Sequence, residues 1–247
     1  MINDSHLHFG WSEEVLRGFD ENSFSKFLKE NNINNCFAFP IFNKSSELME
    51  EYHSTLLKMN RVNNGIKPLY WLKSDPLSLH KALEDIKGNY YGIKYHPAYE
   101  ATPISHPLFE IVLDEINKLG KTVLVHCGMY NNGAISSNTS YLHAVIAAAK
   151  YKNIKFILGH MGGSTVPIIK EVCLHVRGIN NIWLETSGIT SPLAVDHAVN
   201  HIGAKKVLFG SDSPWCSFKA MYHNVVDSNI SEEDKRLILH DNFYDLI

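Results

Sequence analysis

Long apolar runs are scarce in this chain. None approaches the ~20 residues needed to cross a bilayer, and Ala144–Ala149 is short and sits in a helical pattern. A surplus of one charge is also missing. With 23 basic and 26 acidic residues the formal charge is -3, which argues against a duty on bulk nucleic acid or on an anionic membrane surface. Cysteine is sparse: Cys36, Cys127, Cys173 and Cys216 form no C-x-x-C pair, and each lies in or beside an apolar stretch. That is the pattern of reduced thiols in a cytosolic protein. The opening Met-Ile-Asn-Asp lacks a basic start followed by an apolar core, so no secretory leader is read and a cytoplasmic location is expected. No Gly-rich phosphate loop, Pro/Gly/Ser-rich linker or low-complexity segment is present.

What remains is a globular composition, 45% hydrophobic and 20% charged over 247 residues, which excludes general disorder. Eight β-like runs alternate with helical patterns: Ile2–His8, Asn35–Phe42, Ile66–Leu72, Gly92–His96, Thr122–His126, Lys155–His160, Ile182–Ser187 and Val207–Ser211. Several are continuously apolar, as strands covered on both faces are. Helix punctuation falls between them. Asp75-Pro76, His106-Pro107, Ser191-Pro192 and Ser231 followed by three acids mark starts, and Gly88 and Gly120 mark ends. Units of this period suit a closed barrel or an open doubly wound sheet. Without the phosphate loop of the open form, the expectation is a single-domain α/β (β/α)8 TIM-like barrel spanning 1–247. The polar stretch Met129–Ser140, with Gly133, reads as a loop placed to cover a site.

Histidine is the residue in excess, 14 in all. Asp4-Ser5-His6-Leu7-His8 ends the first strand candidate, and residues two apart on a strand point to the same side. A shuffled chain of this composition would hold about 0.8 H-x-H pairs by chance, so the motif alone is weak. Position adds the weight. His126 ends the fifth candidate, His160 the sixth and Asp212 the eighth. In a barrel all strand C-termini face one mouth, so these five side chains would share one pocket. Each follows an apolar run, where an unpaired polar group is costly.

The segments Asp4–His8, Gly92–Pro97 (Gly-Ile-Lys-Tyr-His-Pro), Val123–Gly128, Leu158–Gly163, Leu184–Gly188 and Phe209–Trp215, with a closing Ile238–Ile247 helix, resemble the amidohydrolase superfamily. More narrowly, they resemble the amidohydrolase-related branch that includes aminocarboxymuconate-semialdehyde decarboxylase. The resemblance implies a distorted barrel with one divalent metal. His6 and His8 would be ligands from the first strand, His126 the third nitrogen ligand and Asp212 the carboxylate ligand. His160 would be a catalytic histidine touching metal-bound water or substrate. Homodimers are frequent in that family. Two departures stand out: the chain is shorter than many relatives, and Lys94 occupies the strand from which some branches supply a carboxylated lysine between two metals. Here Lys94 lies two residues before His96 and reads as a substrate or structural lysine.

A nitrogen/oxygen set with an open position suits Zn²⁺, with Mn²⁺, Co²⁺ and Fe²⁺ also compatible. A metal in such a site lowers the pKa of bound water from 15.7 to roughly 7. Asp212 would then take the proton and pass it to a leaving group, and His160 would steady the developing oxyanion. The expected reaction is hydrolysis of an amide, ester or lactone of a small organic substrate, with Lys94 and His96 placed to attract a carboxylate where the substrate has one and Trp215 as a wall. Non-oxidative decarboxylation on the same site is the nearest alternative, because the branch contains both chemistries. A phosphoesterase opening with Asp-x-His-x-His and a binding barrel without catalysis fit less well. His197 and His201, at i, i+4, lack the Glu of H-E-x-x-H and read as a solvated helix face. Cys127 and Cys216 read as small core or rim residues, Glu185 as a supporting residue at the mouth, and Ser187 and Ser213 lack a nucleophile elbow.

Overall fold

The computed structural model describes residues 1–130, 134 and 136–247, so the centre of the stretch read as a covering loop, Gly133 included, lies outside the described residues. The strands are β1 (Ile2–Ser12), β2 (Arg17–Phe19), β3 (Ile33–Pro40), β4 (Ile66–Leu72), β5 (Gly92–Tyr95), β6 (Thr122–Val125), β7 (Lys155–Leu158), β8 (Ile182–Glu185) and β9 (Val207–Leu208). The helices are α1 (Glu21–Glu30), α2 (Ser46–Val62), α3 (Pro76–Lys87), α4 (Glu110–Leu119), α5 (Tyr141–Lys150), α6 (Val166–Val176), α7 (Pro192–Ile202), α8 (Phe218–Val226) and α9 (Glu232–Leu239). All eight expected strands are present. Their sheet order, β2-β1-β3-β4-β5-β6-β7-β8-β9, follows the chain apart from a hairpin in which β2 pairs antiparallel with the end of β1.

Local chemistry sets the boundaries. Asp75 caps α3, accepting from the Ser78 N–H at 2.9 Å with Pro76 at the first helical position. Gly120, at φ 65, ends α4 in the left-handed conformation that glycine adopts without strain. The closing segment departs from the sequence reading. Instead of one helix, α9 stops at Leu239 and a 3₁₀ turn runs Asp241–Leu246. The His240 carbonyl is taken by Asn3 Nδ2, and Asn242 Nδ2 donates to Ala204 O and Val207 O. These tertiary bonds hold the chain out of helical register.

Alternation along the strands sorts two apolar layers. Phe37, Phe39, Leu69, Trp71, Leu124, Ile157, Trp183 and Leu208 point inward, and Phe243 and Leu246 pack beneath them. Outward residues such as Ile93, Val123, Val125, Phe156 and Leu184 pack under the helices. The barrel closes through backbone bonds between β1 and the segment 209–213. Ser5 N–H donates to Phe209 O at 2.9 Å, Asp212 N–H to His6 O at 2.8 Å and His8 N–H to Ser213 O at 3.0 Å. Asp4 locks this seam from inside, its Oδ1 accepting from His6 N–H and Ser211 N–H at 3.0 Å each. Burial outweighs those bonds and pushes the Asp4 carboxyl up to about 7.

Gly210 lies on the same seam. A methyl there would overlap Glu185 Oε2 and stand 3.0 Å from His6 Cβ, so Gly210→Ala should cost about 1–3 kcal/mol of unfolding free energy; an unchanged denaturation midpoint would contradict this close approach. Asp4 gives a second test. Its folded pKa lies above its unfolded value, so the folded state holds the extra proton and stability falls as pH rises from about 4 to about 7. Asp4→Asn keeps the Oδ1 acceptor and removes the buried charge. Its stability relative to wild type should therefore grow across that interval, by up to about 4 kcal/mol, in urea titrations at stepped pH.

Candidate metal centre

Three donor side chains converge just above the seam. His6 and His8 face inward from β1, and Asp212 follows β9 in a left-handed backbone turn at φ 55. One ligand atom from each lies within 4.8 Å of the others. Asp212 Oδ1 is 3.3 Å from His6 Nε2 and 3.0 Å from His8 Nε2. Its second oxygen accepts from the Cys216 thiol, with Sγ at 3.8 Å.

The tautomer of His6 follows from its other nitrogen. Nδ1 is 2.9 Å from Glu185 Oε1, and a carboxylate can only accept, so Nδ1 carries the hydrogen and Nε2 presents a lone pair. That lone pair faces the Asp212 carboxylate, an arrangement that calls for a cation beside them, and the Lys94 ammonium, 3.1 Å from Nε2, stands there in this structure. Two imidazoles and a carboxylate set this way fit a divalent cation.

Glu185 supports the arrangement. It is fully buried and accepts from His160 N–H, Ser187 N–H and the Ser187 hydroxyl, each at 2.7 Å. The reading of Glu185 as a supporting residue understated its reach. The signal that could have found this is Gly210, whose missing side chain makes room for its carboxylate.

His126 and His160 form a neighbouring pair. His160, at φ 55, sits in a 3₁₀ turn after β7, and its Nδ1 donates to Ser187 O at 3.0 Å. Its Nε2 lies 3.0 Å from His126 Nδ1, and His126 Nε2 faces the Met129 carbonyl at 3.1 Å. A neutral His126 ring has one N–H to share between these two acceptors, and among the described residues His126 is not one of the three converging donors. His96 stacks on His126 at 3.9 Å and on Tyr99 at 3.9 Å, extending an aromatic column to Phe42. Trp215 stands edge-on to His8 at 6.4 Å. Lys94 points into the same interior, Nζ 3.1 Å from His6 Nε2.

Burial governs the electrostatics. It pushes His6, His8 and His126 below the ordinary histidine range, assisted by Lys94 at each and by His96 at His126. The three rings are neutral and able to offer lone pairs. Burial alone would raise Asp212, but its close pairing with the His6 and His8 rings, the hydrogen bond to His8 included, outweighs burial and holds the carboxyl well below the usual range. Lys94 is lowered by burial to about 8, with Asp212 and Glu185 opposing.

The residues set aside lie elsewhere. His197 and His201 stack on each other on α7, with His201 Nδ1 bonded to His197 O. Cys127 is buried in the outer apolar layer. Ser213 donates to Cys216 O.

No curated protein sequence matches the chain. Solved structures match its whole length at low identity. A 2,6-dihydroxybenzoate decarboxylase complexed with 2,6-dihydroxybenzoate superposes with a TM-score of 0.77 at 14% identity, covering 100% of this chain and 98% of that one. A dihydroxybenzoic acid decarboxylase from a Polaromonas species, with bound manganese and the inhibitor 2-nitroresorcinol, gives 0.73 at 16%, covering 100% and 97%. A Pseudomonas putida protein assigned as a 2-pyrone-4,6-dicarboxylic acid hydrolase gives 0.73 at 15%, covering 99% and 96%. At these identities the likeness establishes the barrel fold. The amidohydrolase family model matches residues 72–245, well over half the chain and including His126, His160, Glu185 and Asp212, so this chain belongs to the amidohydrolase family and is an enzyme of hydrolase or lyase type.

Proposed function

We propose that the protein is a metal-dependent hydrolase of small organic substrates bearing an amide, ester or lactone. The observation that carries this reading is Asp212, a carboxylate held ionised in the barrel mouth with one oxygen 3.0 Å from His8 Nε2 and 3.3 Å from His6 Nε2. An ionised carboxylate is a base ready to accept a proton from attacking water; protonating a substrate carbon, as decarboxylation requires, needs an acid in that place. His6, His8 and Asp212 would hold the ion, and His126, giving up its contact with the Met129 carbonyl, would be the fourth donor. Zinc is the proposed ion, because the donor set is imidazole and carboxylate. When bound, such an ion supplies Lewis acidity that polarises a carbonyl and acidifies water.

The chain's own groups complete the cycle. Asp212 accepts the proton from water on the side away from Cys216 and returns it to the leaving group. Glu185 keeps the hydrogen of His6 on Nδ1, so Nε2 stays available. His160, its Nδ1 fixed by Ser187 O, is the proposed partner of the developing oxyanion. Trp215 and the stacked His96 and Tyr99 form flat walls suited to a small planar substrate. In line with a diffusible substrate, no helix among the described residues is long and apolar enough to cross a membrane. The four cysteines are unpaired, which supports a reducing, cytoplasmic setting.

Elemental analysis of protein purified without added metal or chelator should find about one equivalent of divalent ion per chain in wild type. A His6→Ala/His8→Ala variant should lose it. Asp212→Asn should reduce turnover of a lactone, ester or amide panel by about 10²–10⁴-fold. CO₂ release from carboxylated aromatics without any hydrolysis would replace the hydrolase reading by the lyase one. Glu185→Gln should weaken metal affinity by about 10–100-fold, measured by chelator competition; unaltered affinity would show that the carboxylate does not act through His6.

A further inference from the structure

Lys94 is charged and buried, at 1% exposure, yet it has no carboxylate partner among the ion pairs of the described residues. Among the described residues its one hydrogen bond is to His6 Nε2 at 3.1 Å, and its ammonium stands 4.8 Å over the Phe39 ring. An interior ammonium so thinly paired is expensive to keep, and a methionine would fill the same space more cheaply. Its position gives it a use. Since Glu185 keeps the hydrogen on Nδ1 of His6, the ring has a single lone pair, on Nε2, and the Lys94 N–H already takes it. Any divalent ion held by His6 must take that same lone pair. Asp212, 3.3 Å from the same nitrogen, adds negative charge that an ammonium and a metal ion would both answer.

We infer that Lys94 is a built-in competing cation of the metal centre, whose ammonium occupies the His6 lone pair and so limits how tightly the site takes a divalent ion. The inference rests on the metal-dependent reading proposed above. It is the opposite of a bridging role. A carboxylated lysine would add negative charge and two oxygen donors, and its removal would cost the protein metal. Removal of a competing ammonium should strengthen metal binding. The two roles predict changes of opposite sign from one substitution.

The test uses the metal-stripped full-length chain titrated with Zn²⁺ against a chromophoric chelator, with elemental analysis for stoichiometry. Lys94→Met should bind Zn²⁺ at least tenfold more tightly than wild type while keeping one ion per chain. Lys94→Arg, which retains the cation, should show no such gain. Uptake by wild type should not respond to added bicarbonate. Weaker binding, a lost ion or dependence on bicarbonate would make Lys94 a ligand and overturn the inference. Equal affinity in wild type and Lys94→Met would make it a bystander, even if the melting temperature of the metal-free protein changed. In either case the metal-dependent reading survives, since wild type still binds. Absence of binding in wild type and both variants would bring down the two together. Should Lys94→Met fail to fold, Lys94→Gln removes the same charge with a polar side chain and carries the same expectation.

Discussion

The barrel mouth depends on one buried carboxylate. Glu185 has no contact with solvent, and its two oxygens receive four hydrogens: from the His6 ring, the His160 backbone and both donors of Ser187. A carboxylate without water is tolerable only when its lone pairs are filled, and charge-assisted bonds are roughly twice as strong as neutral ones. The same bonds therefore satisfy the charge and fix the site. They select the tautomer of His6 and hold the left-handed turn at His160. They also tie β1, β8 and the segment after β7 to one point. Gly210 exists on these terms, since a side chain there would crowd the carboxylate and His6.

Much of this was legible in the sequence because the signals were local. Apolar runs bounded by caps located every barrel strand, and strand ends located His6, His8, His126, His160 and Asp212. What escaped depends on long-range contacts. The β2 hairpin has only Arg17–Phe19 to announce it. The break at His240 is set by Asn3, from the other end of the chain. The five residues were expected in one pocket, but periodicity could not show that His126 turns toward His160 and Met129 while Lys94 turns toward His6. Such choices are made by partners on other strands, and no spacing rule encodes them.

The interior of the barrel balances charge with few groups. Asp212 is its ionised carboxylate, Glu185 has its oxygens filled by hydrogen bonds, Asp4 takes up a proton as pH falls below about 7, and Lys94 is the cation among them. His6, His8, His96 and His126 around them are driven neutral by burial, which makes them donors of lone pairs rather than of charge. A ligand entering the mouth thus meets a base, neutral imidazoles and one ammonium. The flat aromatic faces beside them set shape rather than charge.

The seam between β1 and residues 209–213 also bears on how the chain is made. Asp212 lies 204 positions after His8, so during synthesis β1 must wait for nearly the whole protein before its closing edge is paired. An exposed strand edge is a template for joining another chain. Along Ile2–His8 that edge carries Asn3, Asp4, Ser5, His6 and His8, polar residues that would be costly to bury against a wrong partner. The residues that shape the mouth thus also guard the nascent strand against misassembly until its proper neighbour arrives.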